Sequence, residues 1–372
     1  MAPRGVFITE LAPAGAGPRL AVKDLFDTAG VRTTYGSAVF ADQVPDATAP
    51  AVARLEAAGY ASVGKANLHE FAWGITSENP HHGDVPNPLA AGRIAGGSSG
   101  GNAAALVLGL ADAALGSDSG GSVRIPAACC GIVGFKPTFG LVPIAGCFPL
   151  APSFDHVGPM ARDVATCERM MGALADGFAP AELSSLADVR AGVAWTDRAN
   201  PLVRAHVERA AARFPDRREL ADLPILPDAG PAFAREAADV HAELWREHRA
   251  LYGENVARKL ERAYRLDDAV VQAAVAARER YRDAMAERMD GLDLLVTPTL
   301  RMVAPRTGIG DLALRDATIE LTFPFNAIGA PALAIPCGAA EDGFPASLQL
   351  VARPGADALV LAAGRLLERA LA

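Results

Sequence analysis

Two clusters of glycine and serine interrupt the most apolar part of this chain. The first cluster spans Gly96–Gly101 and the second spans Ser119–Ser122. An alanine-rich segment follows the first cluster directly, and apolar segments lie on both sides of the second. Flexible linkers do not normally interrupt a core twice within so short a distance, whereas glycines in loops let backbone N–H groups converge on a ligand. The clusters therefore predict a functional site on loops within a packed domain.

Apolar periodicity alternates between strand and helix along the chain. The segments 18–40 and 60–68 each contain an apolar run typical of a strand, and 48–58 has the spacing of a helix that ends at Gly59. We expect the alanine-rich segment 101–116 to form a buried helix. This alternation predicts an α/β fold in which a central mixed β-sheet is covered on both faces by α-helices.

The 372 residues suffice for one large α/β domain or for roughly two or three smaller ones. Between Asp163 and Asp290, alanine, arginine and glutamate dominate with helical periodicity, and strand character returns afterwards. We expect a single domain over 1–372. Its three segments are a core over 18–162, a helical layer over 163–290 that shapes the pocket, and C-terminal strands with a final helix over 291–372.

Charge and hydropathy exclude several classes of protein. The formal net charge is −8, so a basic stripe for nucleic-acid phosphates is not expected. Hydrophobic residues make up 51% of the chain, but no apolar run reaches the ~18 residues of a membrane span, and the N-terminus does not resemble a secretory signal. The five cysteines include no CxxC pair, which is typical of reduced thiols. We therefore expect a cytoplasmic protein without nucleic-acid or membrane partners.

Lysine is rare in this chain, so each lysine is informative. Of the 35 basic residues, 4 are lysine and 31 are arginine. Because arginine supplies charge but does not lose its proton, a retained lysine indicates a position that needs a neutral amine. The four are Lys23, Lys65, Lys136 and Lys259. We single out Lys65, in SVGKANLHEFAWG, at the expected end of a strand.

The clusters favour a serine hydrolase over a phosphate-binding loop, because neither GxxxxGK[ST] nor GxGxxG occurs. Gly97–Gly101 matches the G-x-S-x-G nucleophile elbow, with Ser99 as nucleophile. That fold needs a separated acid and base downstream, and the available Asp155 and His156 are adjacent in the chain. The sequence therefore disfavours the nucleophile elbow.

Two other arrangements include Lys65. Ser62 and Lys65 match S-x-x-K, but the K-T-G motif that should accompany it is replaced by KPT at 136–138. The stronger arrangement combines Lys65 with Ser98 and Ser122 as a Ser–Ser–Lys triad.

This triad lies in segments that resemble a known family. GGSSGGNAAAL and ALGSDSGGSVRIPAACCGIVGFKPTFG closely resemble the amidase signature family, and VGKANLHEFAWG resembles the segment that carries that family's lysine. The resemblance runs from about Leu20 to Arg162 and resumes at DLLVTPT, FPFNAIGAPALAIPCG and FPASLQLVARPG. It implies the amidase signature fold and an amidase, a hydrolase acting on carbon–nitrogen bonds in linear amides.

The resemblance also implies a role for each member of the triad. Ser122 matches the family nucleophile, Ser98 matches the bridging serine that follows a cis peptide bond, and Lys65 matches the terminal base. A hydroxyl needs a base to take its proton, and lysine serves as that base only when burial lowers its pKa from about 10.4 towards 7–8. The apolar flank ASVG before Lys65 fits that demand.

Other residues of the two clusters are expected to support the chemistry. Backbone N–H groups should form the oxyanion hole, and their residues are Ser119, Gly120, Gly121 and Ser122. Four residues match family positions that brace the loops: Ser99, Ser117, Asp118 and Arg124. We expect an ion pair between Asp118 and Arg124.

Outside the clusters, Trp73 is the expected substrate contact. We expect structural roles for Asp155 and His156, and positions behind the site for His69 and Glu70. No cofactor and no metal are expected for this chemistry.

These features predict an amidohydrolase that cleaves a small-molecule linear carboxamide through a Ser122 acyl-enzyme. The chain is shorter than many relatives and most resembles the short indole-acetamide-hydrolase-like and carboxybiuret-hydrolase-like members. The parts that are shortened here build dimer contacts in larger members. The resemblance therefore leaves open whether this chain forms a homodimer. Two alternatives are the glutaminase subunit of a tRNA-dependent amidotransferase, which passes ammonia to a partner, and a catalytically silent scaffold.

Overall fold

The computed structural model describes residues 2–13, 15–226 and 229–372. Within them, eleven strands pair in one sheet. The strands are β1 (Phe7–Glu10), β2 (Arg19–Lys23), β3 (Ala61–Ala66), β4 (Ala113–Asp118), β5 (Val133–Lys136), β6 (His156–Ala161), β7 (Ala191–Val193), β8 (Arg217–Glu219), β9 (Leu294–Pro298), β10 (Ala332–Ala339) and β11 (Pro345–Val351).

Twelve α-helices surround the sheet in the described part of the chain. They are α1 (Pro50–Ala57), α2 (Gly100–Val107), α3 (Arg124–Cys130), α4 (Val164–Leu174), α5 (Pro201–Ala211), α6 (Gly230–Val240), α7 (Ala242–His248), α8 (Glu254–Ala263), α9 (Asp268–Arg288), α10 (Asp311–Ile319), α11 (Phe323–Ala327) and α12 (Asp357–Leu371).

The sheet is mixed, as the sequence predicts. Its order is β1-β3-β2-β4-β6-β5-β10-β11-β9-β7-β8. β2 pairs in parallel with β3 and β4, and β7 pairs in parallel with β8 and β9, whereas the other neighbours are antiparallel. The α/β fold class is therefore confirmed. Strands from all three predicted segments enter this sheet. That the chain forms a single domain stays a prediction.

Both faces of the sheet are covered, because alternate strand residues enter different cores. In β2, Leu20 and Val22 belong to the largest core, whereas Ala21 belongs to a second one. Since successive side chains of a strand point to opposite faces, these two cores mark the two sides of the sheet. α4 and α12 contribute to the first core, and the alanines of α2 pack in the second.

The predicted helix over 101–116 is corrected by the structure. α2 ends at Val107, Gly109 adopts a positive φ of 67°, and β4 begins at Ala113 and continues past the segment to Asp118. A glycine in the left-handed region ends a helix at little steric cost. Alanine is favoured in helices, so its abundance in ADAALG concealed a strand that is buried along its whole length.

The predicted helical layer over 163–290 also contains strands. It includes α4 to α9, but β7 and β8 within it extend the sheet beyond β9. These strands have three residues each, too few to show a period in the sequence.

Across residues 2–13, 15–226 and 229–372, each helix is too short or too polar to cross a membrane.

Candidate active site

The fold brings the two glycine and serine clusters together. The first cluster leads into α2, and the second connects β4 to α3. The Ser99 N–H donates a hydrogen bond to the Ser122 carbonyl oxygen over 3.2 Å, which joins the two loops. The peptide bond between Gly97 and Ser98 is cis, as the resemblance implies.

A buried lysine contacts Ser98, and it is Lys23. Its Nζ donates hydrogen bonds to Ser98 Oγ over 2.7 Å and to Ser117 Oγ over 2.8 Å. The Lys23 side chain is fully buried at the end of β2. Burial lowers the pKa of Lys23 to about 7, because it removes water from the charged amine. Near neutral pH, Lys23 therefore exchanges a proton readily.

Lys65 contacts a different set of atoms, so the expectation that it contacts Ser98 is wrong. Its Nζ donates to Thr33 Oγ1 over 2.7 Å and to the Phe26 carbonyl oxygen, and it lies 3.5 Å from Asp24 Oδ1. In the described part of the chain, Lys65 makes no hydrogen bond to either triad serine.

The pairing of β2 with β3 explains this difference. In the parallel register, Lys65 lies beside Val22, and Ala66 lies beside Lys23. Adjacent strand residues point to opposite faces of the sheet. Lys65 therefore shares the face of Val22, whereas Lys23 shares the face of Ala21, where α2 begins after Ser98.

Ser122 lies in the loop before α3 and is 6% exposed. It lines a cavity of about 30 Å³, which we call the inner cavity. The other residues that line this cavity include Trp73, Ser119, Gly120, Phe233 and Phe323. The Ser122 hydroxyl has no hydrogen-bond partner among the described residues, so the expected bridge from Ser98 is not a direct hydrogen bond in this structure. Trp73, the expected substrate contact, is within the same cavity wall.

One of the four expected oxyanion donors is already occupied. The Gly121 N–H donates to Asp118 Oδ1 over 2.8 Å. Gly121 has a φ of 126°, and a Cβ there would lie 2.4 Å from Thr322 Oγ1, so glycine is required at this position. The candidate donors therefore narrow to Ser119, Gly120 and Ser122.

The expected ion pair between Asp118 and Arg124 is present and bidentate. Arg124 Nε and Nη2 each donate to an Asp118 oxygen over 3.0 Å, and both side chains are fully buried. Burial alone would raise the pKa of Asp118, but the charge and hydrogen bonds of Arg124 bring it below the ordinary range. Asp118 thus stays ionised and fixes the Gly121 amide, and Arg124 also reaches Asn326 Oδ1.

Replacing Asp118 with asparagine should lower the free energy of unfolding by about 3–5 kcal/mol, because it leaves the Arg124 guanidinium buried without a counter-charge. Urea unfolding followed by circular dichroism measures this change. Glu208→Gln is the matched control, because it breaks a pair with Arg204 that is exposed on α5 and should have no measurable effect. Equal stability of the two variants would contradict the structural role of the buried pair.

The other expected bracing residues occupy the same loops. Ser99 Oγ donates to the Ser117 carbonyl oxygen over 3.4 Å, and Ser117 Oγ accepts the hydrogen bond from Lys23. Asp155 accepts hydrogen bonds from Ser119 Oγ and from two backbone amides, at Leu150 and Ala151. These contacts tie the wall of the inner cavity to the lysine site.

Within the described residues, neither neighbouring histidine makes a hydrogen bond to Ser122. His156 Nδ1 lies 2.7 Å from the Phe154 carbonyl oxygen, and burial lowers its pKa well below the ordinary value. His69 Nε2 lies 3.1 Å from Asn255 Oδ1, and Glu70 accepts hydrogen bonds from Ser37 and from the Gly253 amide. These contacts fit structural roles for both segments.

Comparison with known proteins shows which family this chain resembles along most of its length. The family model for Amidase matches residues 16–212 and 220–361. The chain is 35% identical to a glutamyl-tRNA(Gln) amidotransferase subunit of Moorella thermoacetica, over 95% of this chain and 82% of that protein. It is also 35% identical to the AtzE subunit of 1-carboxybiuret hydrolase of Pseudomonas sp. strain ADP, over 96% of this chain and 85% of that protein.

A solved structure shows the same architecture. The crystal structure of an amidase superposes with a TM-score of 0.87 at 37% identity, covering 95% of this chain and 85% of that one. The protein is thus an amide-hydrolysing enzyme. It belongs to the amidase family, which confirms the resemblance found in the sequence.

Proposed function

We propose that the enzyme hydrolyses linear carboxamides through an acyl-enzyme on Ser122, with Ser98 as proton relay and Lys23 as base. The observation that carries this proposal is the hydrogen bond of 2.7 Å from the buried Lys23 amine to the Ser98 hydroxyl. It replaces Lys65 as the expected base, because the contacts of Lys65 lead to Asp24 and Thr33 instead.

The proposed reaction begins when neutral Lys23 takes the Ser98 proton while Ser98 takes the proton of Ser122. Ser122 Oγ then bonds to the amide carbon, and the carbon–nitrogen bond breaks. The amine leaves with the proton that returns from Lys23 through Ser98. Water then gives a proton to the same relay of Ser98 and Lys23 and bonds to the acyl carbon. The bond from that carbon to Ser122 Oγ breaks, the proton returns to Ser122, and the acid leaves. Hydrogen bonds of this kind often tighten only when substrate binds, which accommodates the unpartnered Ser122 hydroxyl.

Negative charge develops on the carbonyl oxygen during attack. The N–H groups of Ser119, Gly120 and Ser122 are the proposed donors, and loss of one such donor typically lowers the rate by about 10²–10³. The Asp118 carboxylate supports this loop by holding the amides of Gly121 and Val123.

A fluorophosphonate probe tests the proposal, together with ammonia release from simple aliphatic, aromatic and ureido amides. We expect one covalent adduct on Ser122, located by peptide mass spectrometry, and ammonia from at least one amide. Absence of both would overturn the proposed function. Labelling of Ser99 in place of Ser122 would overturn the assignment of the nucleophile.

Activity should rise with pH through about 7, because only the neutral form of Lys23 accepts a proton and its pKa is lowered to about 7. Activity falls at lower pH because the protonated form of Lys23, which cannot accept a proton, dominates below that pKa. The measurement is kcat/KM for one amide from pH 5 to 9, with circular dichroism to confirm folding at each pH. A flat profile would contradict the role of Lys23.

The alternative is a glutaminase subunit that passes ammonia to a partner. It is favoured by the 35% identity to the amidotransferase protein of Moorella thermoacetica. Co-purification of a stable complex, with glutamine hydrolysis that depends on it, would support this alternative. A scaffold without catalysis predicts no Ser122 adduct. A homodimer stays an expectation, which light scattering can test.

A cytoplasmic location stays our prediction. All five cysteines are buried free thiols, which is typical of a reducing compartment. Cell fractionation tests it.

A further inference from the structure

Two larger cavities adjoin the inner cavity, with volumes of about 370 Å³ and about 180 Å³. The larger one shares Trp73 and Phe233 with the inner cavity, and the smaller one shares Ile319 and Phe323 with it. Arg315 lines all three, and among the described lining residues it is alone in doing so. Arg315 therefore lies where the space beside the nucleophile opens outward.

The Arg315 guanidinium lacks a strong partner. Its side chain on α10 is only 26% exposed, and its nearest carboxylate is Asp316 Oδ1 at 3.6 Å, on a side chain that is 97% exposed. In the described part of the chain, Arg315 donates no hydrogen bond. A mostly buried charge loses hydration, and an exposed ion pair compensates little of that loss. The geometry leaves the planar donors of Arg315 available to a ligand.

Nearby charges do not cancel that of Arg315. Lys259 also lines the larger cavity, but it pairs with the buried Asp311. Glu320 lines the smaller cavity and pairs with Arg198 at 2.6 Å. Arg262 lines the larger cavity and has no ion pair of its own within the described residues. Asp316 also lines both larger cavities, but its pair with Arg315 at 3.6 Å is exposed to solvent, so the positive charge of Arg315 is only weakly compensated.

The inner cavity is largely apolar beside Arg315. Trp73, Phe233 and Phe323 form its walls, and the ring centroids of Phe233 and Phe323 lie 5.8 Å apart. Such walls suit a carbon chain, whereas an arginine at the end suits a carboxylate, which it binds through two parallel hydrogen bonds.

We propose that the substrate is an amide that also carries a carboxylate, and that Arg315 binds this carboxylate. The inference rests on the proposed function, because it takes Ser122 as the point of attack. Arg315 then acts as a specificity-determining residue. It orients the substrate so that the amide carbon reaches the inner cavity while the acid remains at its outer rim.

Matched pairs of amides test this proposal. Each pair consists of the monoamide of a linear dicarboxylic acid, with four to six carbons, and the diamide of the same acid. The two differ only in a carboxylate against a carboxamide of similar size. Ammonia release should give kcat/KM, per amide group, about 10- to 100-fold higher for the best monoamide than for its diamide. Arg315→Gln should remove this preference, chiefly by raising KM for the monoamide.

Arg204→Gln, on the exposed face of α5, serves as the control and should keep the full preference. Calorimetry on Ser122→Ala separates this inference from the proposed function, because binding needs no turnover. The monoamide should bind more tightly than the diamide to Ser122→Ala, and equally to Ser122→Ala combined with Arg315→Gln. Equal binding to Ser122→Ala itself, or an undiminished preference in Arg315→Gln, would overturn the role of Arg315. Failure of the wild type to release ammonia or to label Ser122 would count against the proposed function alone.

Discussion

Lys23→Met should lower kcat/KM by about 10²–10⁴, the usual contribution of a general base. Methionine fills a similar volume at the end of β2 but cannot accept a proton from Ser98. Lys23→Arg should be as slow, because arginine keeps the charge and does not lose its proton. The measurement is kcat/KM for a substrate amide at pH 8, where the wild-type lysine is mostly neutral.

Lys65→Met is the matched comparison, since both lysines are fully buried, Lys23 as the last residue of β2 and Lys65 as the next-to-last residue of β3. It removes the cation beside Asp24, whose carboxylate is also fully buried. Its main effect should be a loss of about 3–5 kcal/mol in the free energy of unfolding. The folded fraction should keep far more of its kcat than Lys23→Met does. The reverse order of kcat losses would restore Lys65 as the base and exclude Lys23.

The choice between these lysines shows what the sequence could and could not predict. The rarity of lysine indicated special positions, and all four lysines are indeed buried: Lys23, Lys65, Lys136 and Lys259. Burial lowers the pKa of every one of them. The composition therefore predicted buried amines, but it could not select the one that contacts Ser98.

What decides that choice is a register offset of one residue. Lys65 pairs with Val22, so it lies on the opposite face from Lys23. Both lysines follow an apolar run. A local sequence pattern does not determine on which face of the sheet α2 packs. Only the pairing of strands that are distant in the chain carries this information.

Local patterns succeeded where the partners lie close in the chain. The ion pair between Asp118 and Arg124 joins two ends of one short loop, and the mixed sheet follows from periodicity at both ends of the chain. Arg315 could not be found in this way. A charged residue on a helix usually faces solvent, and its place in the cleft depends on Trp73 and Phe233, which come from other segments.

Ser122→Ala should lower kcat by about 10⁵–10⁶ and abolish labelling by a fluorophosphonate, because it removes the atom that forms the acyl-enzyme. Two serine variants complete the comparison. Ser62→Ala should match the wild type, because its hydroxyl donates an exposed hydrogen bond to Glu56. Ser99→Ala should lose much less than Ser122→Ala, since its hydroxyl bonds to the Ser117 carbonyl oxygen. An inactive Ser99→Ala variant together with an active Ser122→Ala variant would instead support Ser99 as the nucleophile of the G-x-S-x-G motif.

Combining Ser122→Ala with Lys23→Met tests whether the two residues act as one unit. Lys23 has a proton to accept only if Ser122 supplies it through Ser98, so the double variant should be no slower than Ser122→Ala alone. Independent roles would instead multiply the two losses. A double variant slower than Ser122→Ala by the full effect of Lys23→Met would show that Lys23 serves the reaction by a route that does not pass through Ser122. The buried amine would then act on something other than the nucleophile.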